Sequence, residues 1–241
     1  MLTYETVKNN LTDGYLVDEI FPNELLIISF GFVAWEGVPG FDFYGRTKKL
    51  EQLANRPINR ILVRDFENAW YHRGVRGLGD SIDEVRDRIQ QLITKIAPSR
   101  VVTIGQSMGG YAAILFGKLL DVDQVLAFGS LSFLNSQKAI EIADTRWLSV
   151  MENLEANPPA QCYFDLLELN SSNKTKIDIF YGQKPDPETP GNINLDDIHA
   201  QRLATLPNCT LYPDAESGHA IVKHLIDHKL IDSLLVKSLF G

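Results

Sequence analysis

The chain has 241 residues, of which 44% are apolar, 10% aromatic and 22% charged, which is the balance of a globular protein rather than a disordered, fibrous or membrane one. Lysine and arginine number 23 against 31 aspartates and glutamates, and the formal charge of −8 argues against a nucleic-acid partner, because phosphate binding depends on clustered cations. Two cysteines, Cys162 and Cys209, are too few for a disulfide framework and lack a paired metal-ligand spacing.

The chain shows no sign of a membrane span or of a second domain. Its first ten residues carry no basic-then-apolar signal pattern, and its most apolar stretch, Leu25 to Trp35, is about half the length that a bilayer requires. We therefore expect a cytoplasmic protein. No linker interrupts the sequence, so we expect a single domain over residues 1–241.

The first 24 residues predict an antiparallel hairpin at the edge of a sheet. Two pieces of alternating polarity, Thr3–Val7 and Tyr15–Ile20, flank a turn at Asp13-Gly14.

Short apolar runs and helical patterns then alternate along the chain. The runs, nearly uninterrupted as in strands buried on both faces, are Leu25–Phe32, Ile61–Val63, Val101–Ile104, Val125–Phe128, Ile177–Tyr181 and Thr210–Tyr212. Apolar residues at three-to-four spacing predict helices over Thr47–Asn55, Ser81–Ala97, Gly110–Leu120 and Asp197–Leu206. The alternation predicts an α/β fold with a mainly parallel central sheet and helices on both faces.

The stretch between the fourth and fifth of these strands is too long for a simple crossover. It contains two helical patterns, Gln137–Leu154 and Cys162–Leu169, on either side of a break at Asn157-Pro158-Pro159. We expect a small helical cap inserted at about residues 130–176.

The strongest local motif lies directly between a strand pattern and a helix pattern. Gly105-Gln106-Ser107-Met108-Gly109 fits G-x-S-x-G, and Gly110 follows. In this context the glycines allow a sharp turn that exposes the Ser107 hydroxyl, and the helix N-terminus stabilises nearby negative charge. The motif predicts a nucleophilic serine; the alternative is a tight turn whose serine only caps the helix.

A serine nucleophile requires a histidine base, and five histidines are present. His219 follows the last predicted strand and a polar loop, which is where the base of this architecture stands. His224 and His228 are four residues apart but lack a third ligand, so we expect no metal. His199 is expected to face the surface or to support a loop.

Two aspartates compete for the acid that orients the base. Asp186 follows the Ile177–Tyr181 strand by a few residues, and Asp196 stands later, at the start of the next helix. The alternative role of Asp196, or of Asp197, is to cap that helix. The residues alone leave the choice between Asp186 and Asp196 open.

The oxyanion hole is expected to combine two backbone N–H groups. One is that of Met108, directly after the nucleophile, and the other comes from the loop after the Leu25–Phe32 strand, where Gly31 and Phe32 are the candidates. The alternative role of Gly31 is to permit a turn.

These motifs together resemble the α/β-hydrolase superfamily from about Leu25 to the end of the chain. More closely, the chain resembles a bacterial subgroup with an RD…WY…G segment, a G-x-SMGGYAA elbow, a D-x-x-HA-x-RL helix start and a GH-x-(V/I)-V-x-x-L ending. Here these stand as Arg64-Asp65, Trp70-Tyr71, Gly74, Ser107 to Ala113, Asp196 with His199-Ala200-Gln201-Arg202-Leu203, and His219 with Val222 and Leu225.

The resemblance implies a Ser–His–acid hydrolase without a cofactor, and it favours Asp196 as the acid because this residue matches the position of the subgroup's acid. The loop between Gly182 and Asp196 is longer than the subgroup's, which keeps Asp186 as the alternative. The resemblance supplies no substrate.

The segment after Ile61–Val63 lies at the sheet edge where α/β proteins build their sites. Trp70 and Tyr71 are possible pocket-lining residues, because they offer flat apolar faces with polar handles. For Arg64 and Asp65 we favour a structural ion pair that holds the loop. The glycines of Gly74–Gly79 have the wrong order for a dinucleotide loop.

The sequence therefore favours a hydrolase that acts on a small-molecule ester or thioester through an acyl-enzyme. An acyltransferase shares every one of these residues, and a non-catalytic binding protein on the same fold is the alternative from another class.

Overall fold

The computed structural model describes residues 2–18, 20–34, 36–169, 174–185, 189 and 192–241. Within them, seven strands are present: β1 (Tyr15–Asp18), β2 (Leu25–Phe30), β3 (Ile58–Val63), β4 (Arg100–Gln106), β5 (Gln124–Phe128), β6 (Lys176–Gly182) and β7 (Cys209–Asp214). The helices of the same residues are α1 (Tyr4–Asn9), α2 (Tyr44–Ala54), α3 (Ile82–Ile96), α4 (Met108–Leu119), α5 (Ser136–Glu141), α6 (Leu148–Ala156), α7 (Leu195–Leu203), α8 (Ile221–Asp227) and α9 (Ile231–Phe240).

These strands form one sheet in the spatial order β1-β3-β2-β4-β5-β6-β7. Only β1 runs antiparallel to its neighbour, and every other pair is parallel. The chain passes from β2 to β3 on one side and then returns to β4 on the other side of β2. Such a reversal opens a crevice at the carboxyl ends of the strands, which is where ligands of open α/β sheets bind.

Helices cover both faces of the sheet, as the sequence predicts. Leu26 and Ile28 of β2 pack in one hydrophobic cluster with α3 and with α4, which is buried along nearly its whole length. Leu25 and Ile27, pointing the opposite way, pack in a second cluster with α8 and α9. The central runs of β2 and β5 lack polar alternation because both of their faces are covered.

The N-terminal hairpin expected from the sequence is wrong in its first half. Residues Tyr4–Asn9 form helix α1, because the Thr3 side chain accepts a hydrogen bond from the N–H of Thr6 and caps a helical turn. The second half is confirmed as an edge strand, β1, whose partner is β3 rather than an N-terminal strand.

The described part of residues 130–176, called here the cap segment, is less helical than expected. The predicted helix Gln137–Leu154 is two short helices, α5 and α6, separated by residues 142–147. The second expected helix, Cys162–Leu169, is reduced to a 3₁₀ turn at Leu166–Glu168, whose N–H at Leu167 is capped by the Asp165 side chain. Residues 142–147 face the site described below. No helix in the described part of the chain combines the length and the apolarity needed to cross a membrane.

Candidate active site

Ser107 stands at a sharp turn between β4 and α4, with φ 54° and ψ −120°, a conformation that a residue with a side chain rarely adopts. A Cβ on Gly105 would lie 2.1 Å from the carbonyl oxygen of Gly109, and a Cβ on Gly109 would lie 2.1 Å from that of Phe30. Only glycine fits at either position. The N–H of Ser107 donates to the carbonyl of Phe128 in β5 at 2.8 Å. The turn has the geometry that a nucleophile elbow requires.

His219 connects this serine to Asp196. Its Nε2 lies 3.0 Å from the Ser107 Oγ, and its Nδ1 lies 2.9 Å from Oδ2 and 3.0 Å from Oδ1 of Asp196. Because a carboxylate only accepts, Nδ1 carries the proton and donates it to Asp196. Nε2 is then free to accept the serine proton. This is the arrangement of nucleophile, base and orienting acid.

Asp196 is only 4% exposed, yet it stays ionised. Burial alone would raise the pKa of this carboxyl, but the hydrogen bond from His219 and the charge of Arg146 outweigh burial and hold the pKa below its ordinary value. The cap of helix α7 is Asn194, whose side chain accepts from the N–H of Asp197, so Asp196 is not needed for that role. The competing acid, Asp186, lies outside the described residues.

Gly129, directly after β5, packs closely against both His219 and Asp196. Its φ of +52° lies in the left-handed region, and a Cβ there would lie 3.1 Å from the carbonyl oxygen of His219 and 3.3 Å from Oδ2 of Asp196. A side chain at this position would press on both residues.

The backbone amides expected to hold an oxyanion are partly engaged elsewhere. The prediction of Gly31 as an oxyanion donor is wrong, because its N–H donates to the carbonyl of Val63 at 2.8 Å and so continues the hydrogen bonding of the sheet. The N–H of Phe32 donates to Oδ2 of Asp42 at 2.9 Å. Met108 is the first residue of α4, so its N–H is among those that a helix leaves without an internal partner.

The Asp42 side chain therefore binds the backbone of Phe32 within the loop after β2. Burial raises the pKa of this carboxyl to about 7, and the hydrogen bond from the N–H of Phe32 offsets only part of the rise. Its charge changes near neutral pH, directly beside a proposed oxyanion donor.

The expectation that Trp70 and Tyr71 line an open pocket is corrected, because both rings are fully buried in the core. The Trp70 ring packs edge-on against Trp147 of the cap segment, with ring centroids 4.9 Å apart. The Tyr71 hydroxyl donates to the carbonyl of Gly31 at 2.8 Å. Trp70 therefore packs under the cap segment, and Tyr71 holds the start of the loop after β2.

The favoured Arg64–Asp65 ion pair is also wrong, since the two side chains hold different loops. The Arg64 guanidinium donates to the carbonyls of Asp13 and Pro39 and to Oδ1 of Asn10. Asp65 accepts the N–H groups of three residues that follow it. They are those of Glu67, Ala69 and Tyr71.

A cleft of about 290 Å³ opens beside the base and the acid. Its lining residues are Arg146, Lys184, Pro185, Asn194, Leu195, Asp196, Gly218 and His219. Ser107 does not line this cleft, so it opens on the Asp196 side of His219 and not over the serine hydroxyl. The described residues hold no group of three or more His, Cys, Asp or Glu side chains placed to bind a metal ion.

Sequence reasoning missed Arg146, Asp144 and Gly129. Arg146 binds Asp196, which lies far along the chain, and Asp144 binds Arg146, so no spacing in the sequence points to either residue. Gly129 could have been suspected because a glycine directly follows a strand at the sheet edge that carries the site.

Comparison with solved structures places the fold among the α/β-hydrolases. A chain of the glycosylation-associated protein complex of Streptococcus agalactiae superposes with a TM-score of 0.59 at 16% identity, over 94% of this chain and 44% of that one. This chain therefore spans less than half the length of that protein. The capsule O-acetyltransferase of Neisseria meningitidis serogroup A superposes with a TM-score of 0.56 at 17% identity, over 91% and 90% of the two chains.

A thermophilic esterase of Thermogutta terrifontis gives a TM-score of 0.56 at 15% identity, over 94% of this chain and 89% of that one. The sequence matches no protein-family model and no curated protein. The chain has the α/β-hydrolase fold, with a seven-stranded, mostly parallel sheet among its described residues and a serine at the sharp turn between β4 and α4.

Proposed function

We propose that this chain is a serine hydrolase that cleaves a carboxylic ester or thioester through an acyl-enzyme. The observation that carries the proposal is the line of hydrogen bonds from Ser107 Oγ through His219 to Asp196, with the serine on a strained turn at the sheet's switch point. Esterases with the same fold support it.

In the proposed reaction, His219 Nε2 takes the Ser107 proton while Oγ attacks the acyl carbon. The imidazolium then gives that proton to the departing alkoxide or thiolate, and the acyl group stays on the serine oxygen. Water enters, loses a proton to Nε2 and attacks the acyl carbon. Collapse returns the proton to Oγ and releases the acid.

The oxyanion of both tetrahedral intermediates needs backbone donors. We propose the N–H of Met108 as the first donor and the N–H of Phe32 as the second, once it leaves Asp42. Loss of one such donor costs about 2.7–4 kcal/mol of transition-state stabilisation. The resting loop therefore has to turn before it contributes fully.

We further propose that the chain belongs with the bacterial subgroup that its motifs resemble. Asp196, His199 and Arg202 recur every three residues and so share one face of α7. On that face Asp196 binds His219, His199 binds Ser132, and Arg202 binds the Ser132 carbonyl at 3.2 Å. The motif thus combines the acid with the residues that fix the loop after β5.

The test is hydrolysis of a short p-nitrophenyl ester and of an acetyl thioester by the wild type and by triad variants. We expect Ser107→Ala and His219→Ala to lower kcat on the order of 10⁶-fold, and Asp196→Asn on the order of 10⁴-fold. The matched controls Ser233→Ala, His228→Ala and Asp197→Asn should keep wild-type rates. Equal rates in folded Ser107→Ala and wild type would overturn the proposal.

Acyl transfer to an alcohol is the second candidate, favoured by the match to an O-acetyltransferase over nearly the whole of both chains. The same acyl-enzyme would then react with an alcohol acceptor in place of water. Product analysis in the presence of a polyol distinguishes the two functions. A transferase gives mainly the acylated polyol, whereas a hydrolase gives mainly the free acid at the same rate of ester loss.

A further inference from the structure

Behind the proposed acid lies a second cluster of charged side chains, centred on Arg146 of the cap segment. Its Nη1 donates to Oδ1 of Asp196 at 2.9 Å. Its Nε and Nη2 donate as a fork to the two oxygens of Asp144, at 2.9 and 2.8 Å. One guanidinium therefore holds two buried carboxylates, 4% and 1% exposed, of which one belongs to the triad.

Asp144 is held in turn by a neutral histidine. The Nδ1 of His199 accepts from the backbone N–H of Ser132 at 3.1 Å, which can only donate. The ring proton is therefore on Nε2, which donates to Oδ2 of Asp144 at 3.0 Å. Burial lowers the pKa of His199 despite the nearby carboxylate, so this ring adds no charge.

The charges of the cluster are thus fixed at one positive and two negative. Burial alone would raise the pKa of Asp144, but its bonds to His199 and Arg146 hold it well below the ordinary value. Burial alone would lower the pKa of Arg146, and the two carboxylates raise it instead. The three groups stay ionised over the whole working range of an enzyme.

We infer that Arg146 is a positioning residue, which orients the carboxylate of Asp196 and offsets part of its negative charge at His219. This inference rests on the proposed function. Oδ1 of Asp196 accepts from both Arg146 and His219, so the two donors fix the carboxylate plane in one orientation. The negative charge of Asp196 stabilises the imidazolium, and the positive charge of Arg146 opposes that effect.

The position of Arg146 also connects the cap segment to the triad. It lies between α5 and α6, and its neighbour Trp147 packs on the buried Trp70. A displacement of the 142–147 turn would therefore carry the guanidinium away from Asp196.

The sharpest test uses two charge changes of opposite sign. Arg146→Met removes the positive charge, so His219 should keep its proton to higher pH, and the acid limb of the kcat/KM profile should move up by about 0.5–1 pH unit. Asp144→Asn removes a negative charge from the far side of Arg146, so the limb should move down. A residue with a merely structural role would lower activity without moving the limb.

Each variant replaces one charged side chain and leaves the other ionisable groups of the site in place. Among the described residues, the groups that face the base, the acid and Arg146 are Ser107, Asp144, Asp196 and His199, with Lys184 at the same cleft and Arg202 and Asp165 beyond Ser132. Arg88→Met removes an exposed arginine of α3 and serves as the matched control, with no shift expected.

Two further measurements keep the inference testable if one variant fails to fold. Arg146→Lys keeps the charge but loses the fork, so we expect the limb to stay near its wild-type pH while kcat falls. NMR titration of the His219 ring in folded variants follows the same proton without any turnover.

The outcomes separate the two proposals. Ring titrations that move in opposite directions in Arg146→Met and Asp144→Asn support the role of Arg146, even in a protein that hydrolyses no ester. Unmoved titrations in both folded variants overturn that role, even where Ser107 proves to be the nucleophile.

Discussion

The backbone N–H of Phe32 donates to the carboxyl group of Asp42 at 2.9 Å, so an amide expected to face the oxyanion is held by this side chain instead. An N–H that binds Asp42 cannot stabilise a second anion at full strength. In the proposed mechanism, the state of Asp42 therefore controls how much of the proposed oxyanion hole is available.

The first prediction concerns the alkaline side of the activity profile. Burial raises the pKa of Asp42 to about 7, so the folded protein holds this proton at pH values where the unfolded chain, with its ordinary 3.8, has lost it. Above about pH 7 the ionised carboxylate retains Phe32 more strongly and repels the developing oxyanion. We expect kcat/KM to fall there in the wild type and not in Asp42→Asn.

Stability gives an independent check on Asp42. A raised folded pKa means that stability is lost as pH rises from 3.8 towards 7, so Asp42→Asn should gain in melting temperature relative to the wild type at pH 8 but not at pH 4. An alkaline loss of activity that persists in Asp42→Asn would show that another group is responsible.

The second prediction concerns Gly129. The Cβ of an alanine there would lie 3.1 Å from the carbonyl oxygen of His219 and 3.3 Å from Oδ2 of Asp196. The positive φ of this position adds strain of about 1–2 kcal/mol. We expect Gly129→Ala to lower kcat/KM about tenfold, because the base and the acid shift together. Gly37→Ala is the control, since Gly37 has φ +73° but open space around it. Equal losses of activity in the two variants would point to backbone strain alone.

The third prediction concerns Tyr71. Tyr71→Phe removes the hydroxyl that binds the carbonyl of Gly31 and leaves that buried acceptor unpaired, which should lower the free energy of unfolding by about 1–3 kcal/mol. Because the loop after β2 loses its support, kcat should fall more than KM changes. Chemical denaturation and steady-state kinetics measure the two effects. Tyr4→Phe, at a side chain that is 69% exposed, should change neither.

The fold could be predicted well from the sequence where the apolar runs were long and continuous. The strands β2 and β4 to β6 and the helices α3 and α4 lie close to their expected positions, because burial leaves a clear apolar pattern. The edge strand β7 also lies at its expected position, although alternate residues of it are exposed. The first residues were misassigned because a five-residue alternation is too short to outweigh a helix cap at Thr3.

The proposed triad was predictable for a different reason. Ser107 and His219 belong to local motifs, so their neighbours in the sequence identify them. Asp196 was favoured over Asp186 only through the resemblance to a family. Arg146 and Asp144 reach the site through the packing of the cap segment, which no short spacing encodes.

The central claim is that Ser107 is a nucleophile activated by His219 and Asp196. The most direct measurement is reaction with a fluorophosphonate probe, followed by intact mass and peptide mapping. The serine oxygen attacks phosphorus and displaces fluoride, so the account predicts one adduct per chain at Ser107, absent in Ser107→Ala and much slower in His219→Ala and Asp196→Asn. A folded wild type that takes up no probe, or takes it up at another residue, would contradict the account.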